Sequence, residues 1–232
     1  MISIIMPYFE RQAALDRALR VYTQLYPYDD IEISLCDDGS GVLLQRNVDV
    51  RFPFLVRRMK KKLGALNPCI PINRAVEQST GDLILLTSPE IVHRTPILEA
   101  MRSRILDSKD YVIAACWDVE QEKWLSHSTM QGKGNGRMPF PKGTGFHFCV
   151  MFTRELWELA GGFDEGYRKG QGCDDNDWLW RVENVGARFI MLDECVVDHY
   201  KDGGARCRWP PGGLKRNKQL LTHKWGHKWN QS

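Results

Sequence analysis

The chain has 232 residues, 43% hydrophobic and 26% charged, with a formal net charge of +3. That length and composition suit a globular α/β domain, or two small ones, and no run approaches the roughly 20 apolar residues needed to span a bilayer. The seven cysteines are scattered, odd in number and without a Cys-x-x-Cys pair, which argues against a structural zinc site and for reduced thiols in the cytoplasm.

The opening residues Met1 to Pro7 carry no basic leader and are too short for a signal peptide; residues 2–6 read as a buried strand. From Glu10 to Leu25 the apolar residues Ala14, Leu15, Ala18, Leu19, Tyr22 and Leu25 recur at helical spacing. A second strand, Ile31 to Cys36, runs into Asp37-Asp38-Gly39-Ser40, and Phe54-Leu55-Val56 is a short third strand before the basic run Arg57 to Lys62. Asn67 to Ser79 reads as a helix with Gly81 as its stop signal. Leu83 to Leu86 is a fully apolar strand, ended by Thr87-Ser88-Pro89-Glu90. A helix from about Pro96 to Leu106 and a strand from Tyr111 to Cys116 follow.

Beyond Cys116 the pattern changes. Val119 to Trp124 looks like a hairpin with a polar tip. His127 to Gly145, rich in Gly, Lys and Pro and without periodicity, is expected to be a long loop of the kind that closes over a ligand. Phe146 to Phe152 reads as a strand and Arg154 to Ala160 as a short helix. Gly161-Gly162-Phe163-Asp164-Glu165 then leads to Asp174-Asp175-Asn176-Asp177, which opens a helix ending near Gly186. Two short strands, Arg188 to Leu192 and Cys195 to Val197, precede Asp198-His199-Tyr200. From Gly203 onward there are seven Lys or Arg and no carboxylate, with a helical pattern from Leu214 to about Trp225. Such a basic tail is ordinarily solvated surface; it also suits a phosphorylated substrate or a peripheral contact with an anionic membrane. No recognised motif accompanies the charge, so no nucleic-acid partner is expected.

The strand–helix alternation implies a mostly parallel sheet with helices on both faces, and such sheets bind ligands beyond the carboxyl ends of their strands. Asp37, Asp38 and Glu90 punctuate those ends, although Asp-Asp-Gly-Ser is also an ordinary tight turn. The acidic cluster is harder to explain away. One carboxylate can cap a helix, but three within four residues repel one another unless a function or a counter-charge holds them.

In this order, Ser3 to Tyr8, Asp37 to Ser40, Asn73-Arg74-Ala75-Val76 with Gly81-Asp82, Gly161 to Glu165, Asp174 to Asp177 and Asp198-His199 resemble a GT-A fold glycosyltransferase of the family 2 type. The C-terminal half is also similar to β-1,4-galactosyltransferases. The resemblance implies a single Rossmann-like α/β domain over 1–200, with a nucleotide-sugar half (1–116), an acceptor half (117–200) and a basic extension (201–232) packed on it. It implies an inverting transfer from a nucleotide-diphosphate sugar, expected to be a UDP-sugar, to a hydroxyl of a glycan or other acceptor. Pro7, Tyr8, Asp38 and Asn73 would hold the donor. Glu90 and His199 would hold Mn²⁺ or Mg²⁺, with His93 a further candidate that reads more simply as structural. Asp175 would be the general base, Asp174 the acceptor contact and Asp177 a support of the helix start. The metal motif departs from the family pattern, because Thr87-Ser88-Pro89-Glu90 lacks the first Asp of Asp-x-Asp. That gap keeps a second reading open, a catalytically inactive module that binds a nucleotide or sugar. A nucleotidyltransferase fits less well, since Pro7 to Arg11 is not a Gly-rich phosphate loop.

Overall fold

Strands buried on both faces need apolar side chains at successive positions, and the first half of the chain supplies three of these and one short, partly exposed edge strand. In the computed structural model, which describes residues 1–27, 30–60, 67–130, 148–201 and 211–229, these are β1 (Ile2–Tyr8), β2 (Ile31–Asp37), β3 (Phe54–Arg58) and β4 (Leu83–Leu86). They pair in parallel in the order β3-β2-β1-β4. The helices α1 (Gln12–Leu25) and α2 (Cys69–Gln78) make the crossovers on opposite faces. Successive side chains divide between two cores: Ile4, Met6 and Tyr8 pack with Leu15, Leu19 and Tyr22 of α1, whereas Ile5 and Cys36 pack with Ile72 and Val76 of α2.

The sheet continues through β8 (Val150–Thr153), β6 (Asp110–Asp118), β9 (Arg188–His199) and β5 (Ile91–His93), with β7 (Lys123–Ser126) hairpinned onto β6. β6 and β9 run parallel to each other, while β8, β5 and β7 run opposite to their neighbours. Six of the nine strands therefore share one direction, and the sheet is mixed but mostly parallel. The remaining helices are α3 (Leu98–Arg102), α4 (Arg154–Ala160), α5 (Asp174–Asn184) and α6 (Gly213–Trp229). Trp178 of α5 is fully buried and donates to the Tyr111 hydroxyl at 3.2 Å, fixing α5 against β6. Among the described residues no helix is long and apolar enough to cross a membrane, and six cysteines are free and buried.

Three expectations change. The helix expected from Pro96 to Leu106 is only Leu98–Arg102. The amides of Leu106 and Asp107 both donate to Asp110 Oδ2 at 2.9 Å, which draws the chain out of the helix and into β6. The two strands expected between Arg188 and Val197 are one strand, whose pairing slips between Ala114↔Leu192 and Ala115↔Val196. The polar pair Asp193-Glu194 marks that irregularity rather than a turn. β5, three residues long, was hidden in the segment after Pro89; it is too short to carry a periodic signal. The strand expected from Phe146 begins at Val150, and residues 146 and 147 lie outside the described residues, as do 131–145 of the expected covering loop, Lys61 and Lys62, and 202–210 of the tail.

Candidate active site

Parallel strands deliver their last residues to one edge, and the polar residues gather there. At the end of β1, Tyr8 sits opposite Asp37 of β2, and the Asp38 amide donates to the Tyr8 carbonyl at 2.9 Å. Pro7 lies one residue earlier, opposite Cys36. Asp37 is inward-facing and structural: its Oδ1 accepts from the Ser40 amide (2.9 Å) and hydroxyl (2.6 Å), and its Oδ2 faces Arg58 Nε at 3.5 Å. That turn leaves Asp38, 8% exposed, as the next carboxylate along the edge. Burial, with Asp37 beside it, raises the Tyr8 phenol above its ordinary value, so the ring stays neutral.

The far edge of the sheet returns to this point through α1. Arg11, three residues beyond Tyr8, places Nε 3.7 Å from Glu90 Oε2. The Arg17 guanidinium lies 4.1 Å above the Tyr200 ring. β5 pairs Ile91 with His199, and the Tyr200 amide donates to the Glu90 carbonyl at 3.0 Å, so Glu90 and His199 are neighbours on adjacent strands. His199 Nδ1 is buried and has no hydrogen-bond partner among the described residues. Burial holds this imidazole below its ordinary value against the opposing charges of Glu90 and Asp118. A neutral imidazole nitrogen beside a carboxylate is a donor set that divalent ions of the Mn²⁺ kind accept. Among the described residues no three His, Cys, Asp or Glu side chains form a metal cage, so this pair needs oxygens from a ligand to complete a coordination shell. His93, two pairs along the same ladder, is taken up by the core. It is buried among Tyr22, Tyr26 and Cys149, bonds the Tyr26 hydroxyl at 2.7 Å, and burial lowers it to about 3.

The third group opens α5. Gly172 and Cys173 both adopt left-handed backbone (φ 60° and 70°) and turn the chain sharply into Asp174. Asp174 is 4% exposed, and Asn67 Nδ2, at the start of α2, donates to its Oδ1 at 2.7 Å. Burial and the adjacent Asp175 push the Asp174 carboxyl up to about 8. At neutral pH Asp174 is therefore protonated, and one negative charge at the pair does not have to coexist with a second. Asp177 is fully buried, and its carboxylate faces Trp225, Lys224, Tyr167 and Arg181.

The expected donor residue Asn73 has both ends of its amide engaged within the protein. Its Nδ2 donates to the Phe163 carbonyl at 2.9 Å and its Oδ1 accepts the Phe163 amide at 2.9 Å, which pins the Gly161–Phe163 loop to α2. Sequence reasoning missed Asp118, which ends β6 opposite His199 and is ion-paired to Lys201 at 2.7 Å. Burial opposes its charge, but Lys201 and the Gln121 amide outweigh that and hold it below the ordinary carboxylate value. The rule that flagged Asp38 and Glu90, a carboxylate just past a strand, would also have found it. Nothing local in the sequence signals the Asn67–Asp174 bond, which joins residues 107 apart.

A sequence model of the family described as Glycosyl transferase family 2 matches residues 3–159. Asp174, Asp175 and His199 lie beyond that match. Among solved structures, residues 1–349 of S. aureus TarS in complex with UDP superpose with a TM-score of 0.73 at 15% identity over 96% of this chain and 64% of that one. The same segment in complex with UDP-GlcNAc gives 0.73 at 14% identity over 96% and 66%. A further S. aureus TarS structure gives 0.69 at 15% identity over 96% and 39%. At that identity the likeness is one of fold, a GT-A fold, and the chain spans 64% of the length of the first of these. A comparison with curated proteins finds no match.

Proposed function

The chain belongs to glycosyl transferase family 2, and from that premise we propose that it moves a sugar from a nucleoside-diphosphate sugar to an acceptor hydroxyl with inversion. The observation that carries the reading is the grouping of Tyr8 and Asp38 at the ends of β1 and β2 with Glu90, reached through Arg11, beside His199; Asn67 ties Asp174, the neighbour of Asp175, to the start of α2. Pro7, Tyr8 and Asp38 line the nucleoside, and Asn73 contributes by fixing the loop beside it. A UDP-sugar is the donor to try first, because the structurally similar TarS is described with UDP and UDP-GlcNAc.

Asp175 takes the proton from the acceptor hydroxyl as that oxygen attacks the anomeric carbon. The bond from that carbon to the diphosphate oxygen breaks, and the nucleoside diphosphate leaves with the electron pair. Protonated Asp174 can both donate to and accept from the acceptor sugar. Glu90 and His199 Nδ1, which has no hydrogen-bond partner among the described residues, would hold Mn²⁺ or Mg²⁺, which when bound offsets the charge of the leaving group. The likeness of the C-terminal half to β-1,4-galactosyltransferases rests on its motifs alone, and the cytoplasm and a glycan acceptor are part of the same proposal. Asp175→Asn is expected to lower transfer by about 10²–10⁴ while nucleotide affinity stays within about twofold. Normal turnover in that variant would remove Asp175 from the role of base. If the wild-type protein binds nucleotide but neither transfers nor hydrolyses any donor, the inactive binding module is the correct reading.

A further inference from the structure

The acidic cluster contains one carboxylate that the proposed reaction does not use. Asp177 is fully buried, and its carboxylate is surrounded by donors. Its Oδ1 accepts from Trp225 Nε1 at 2.9 Å and from the Tyr167 hydroxyl at 3.3 Å and pairs with Lys224; its Oδ2 faces Arg181 Nε at 3.1 Å. Trp225 and Lys224 belong to α6, the C-terminal helix, so the helix that begins with the acidic pair is bolted to the last helix of the chain.

A second attachment lies immediately upstream. Asn217 of α6 is fully buried, and its Nδ2 donates to the Gly172 carbonyl at 2.9 Å and to the Tyr167 carbonyl at 3.0 Å. Gly172 and Cys173 are the consecutive left-handed residues before Asp174, and Cys173 has a side chain that this conformation disfavours. Such backbone persists only where its surroundings over-determine it. The surroundings here are Asn67 on one side, which reaches both the Gly172 carbonyl (3.4 Å) and Asp174, and Asn217 on the other. Gly170 shows how closely α6 sits. A Cβ there would lie 2.2 Å from Asn217 Oδ1 and 2.5 Å from the Gly213 carbonyl oxygen.

We infer that Asn217 and Trp225 are positioning residues for the acidic pair: acting through the Gly172 carbonyl and through Asp177, α6 holds the strained turn that presents Asp174 and Asp175 to the cleft. The inference rests on the proposed function for its consequence in turnover, but not for the geometry. Removal of one clamp should let the turn relax and move the pair, leaving the nucleotide side, built on β1, β2 and β5, unchanged.

Two variants of the full chain test it. Trp225→Phe keeps an aromatic ring and removes the N–H donor; Asn217→Ala removes the amide. The direct readout, which needs no turnover, is ¹³C NMR titration of the Asp174 and Asp175 carboxyl carbons. In the wild type Asp174, raised by burial and by Asp175 to about 8, is expected to give a titration step well above the ordinary carboxylate range. In the variants that step is expected to fall toward the ordinary carboxylate range as the turn opens to water. The second readout is the split between turnover and binding. Sugar transfer or donor hydrolysis should drop at least about tenfold with UDP affinity within about twofold, the pattern of lost alignment rather than lost binding. A wild-type titration step retained in both folded variants would overturn the inference whatever the activity. If the wild type neither binds UDP nor consumes any donor, the functional reading fails while the titration still decides the positioning role. Should Asn217→Ala fail to fold, Trp225→Phe carries the test alone, and unchanged titration and turnover there would defeat it.

Discussion

At the scale of single residues, the three carboxylates that stand together in the sequence occupy three different environments. Asp177 is surrounded by donors and acts as an anchor, Asp174 is buried against Asn67, and Asp175 is the member proposed as base. Burial of Asp174 has a calculable sign. Its carboxyl is about 8 in the fold and near 3.8 in an unfolded chain. The folded state therefore holds a proton that the unfolded state has lost, and stability falls as pH rises between those two values and is flat above them. Asp174→Asn keeps the acceptor of the Asn67 bond and removes the charge. We expect it to raise the melting temperature at pH 8 by about 2–8 °C, from about 1–2 kcal/mol, with little change at pH 4. The same variant should lose the alkaline limb of the rate profile while its acceptor KM rises. Scanning calorimetry at the two pH values checks the first expectation, and an equal melting shift at both would show that Asp174 is charged in the fold.

At the scale of elements, the close approach of α6 to the 170–173 turn is the feature most exposed to a small change. Gly170→Ala would drive a Cβ into a backbone carbonyl as well as a side chain, so relief requires α6 to move. The expected cost is about 1–3 kcal/mol in urea unfolding, with transfer reduced by more than stability alone accounts for. A variant of wild-type stability would mean that α6 moves without penalty. How much of this was legible beforehand follows from the kind of interaction. α1 was readable because it buries a periodic apolar pattern, and β1, β2 and β4 because each is a short, mostly apolar run buried on both faces. The carboxylates at strand ends were readable because parallel sheets place ligands there. β5 was not readable, since three residues carry no period, and the continuous β9 was obscured by Asp193 and Glu194 in its irregularity. Asn67, Asn217 and the engagement of Asn73 depend on contacts between residues far apart in the chain, which no local pattern encodes.

At the scale of the whole molecule, the sheet assembles one edge from both of its ends. β1 and β2 bring Tyr8 and Asp38, the curled far side brings Glu90 and His199 back through the Arg11 contact, and α6 braces the acidic helix from behind. The family match covers residues 3–159, which takes in the nucleotide half and the start of the acceptor half. The two halves should respond separately. Glu90→Gln is expected to weaken nucleoside-diphosphate binding in Mn²⁺ more than in its absence, whereas Trp225→Phe should leave that binding unchanged. The most direct test of the central claim is thermal unfolding of the intact protein with a panel of nucleoside diphosphates, with and without Mn²⁺. A ligand of the folded state at about 100 times its Kd adds about 2.7 kcal/mol, so the matching nucleotide should raise the melting temperature by about 5–10 °C, and more with Mn²⁺ than without. No shift with any nucleoside diphosphate in either condition would contradict a donor site at this edge.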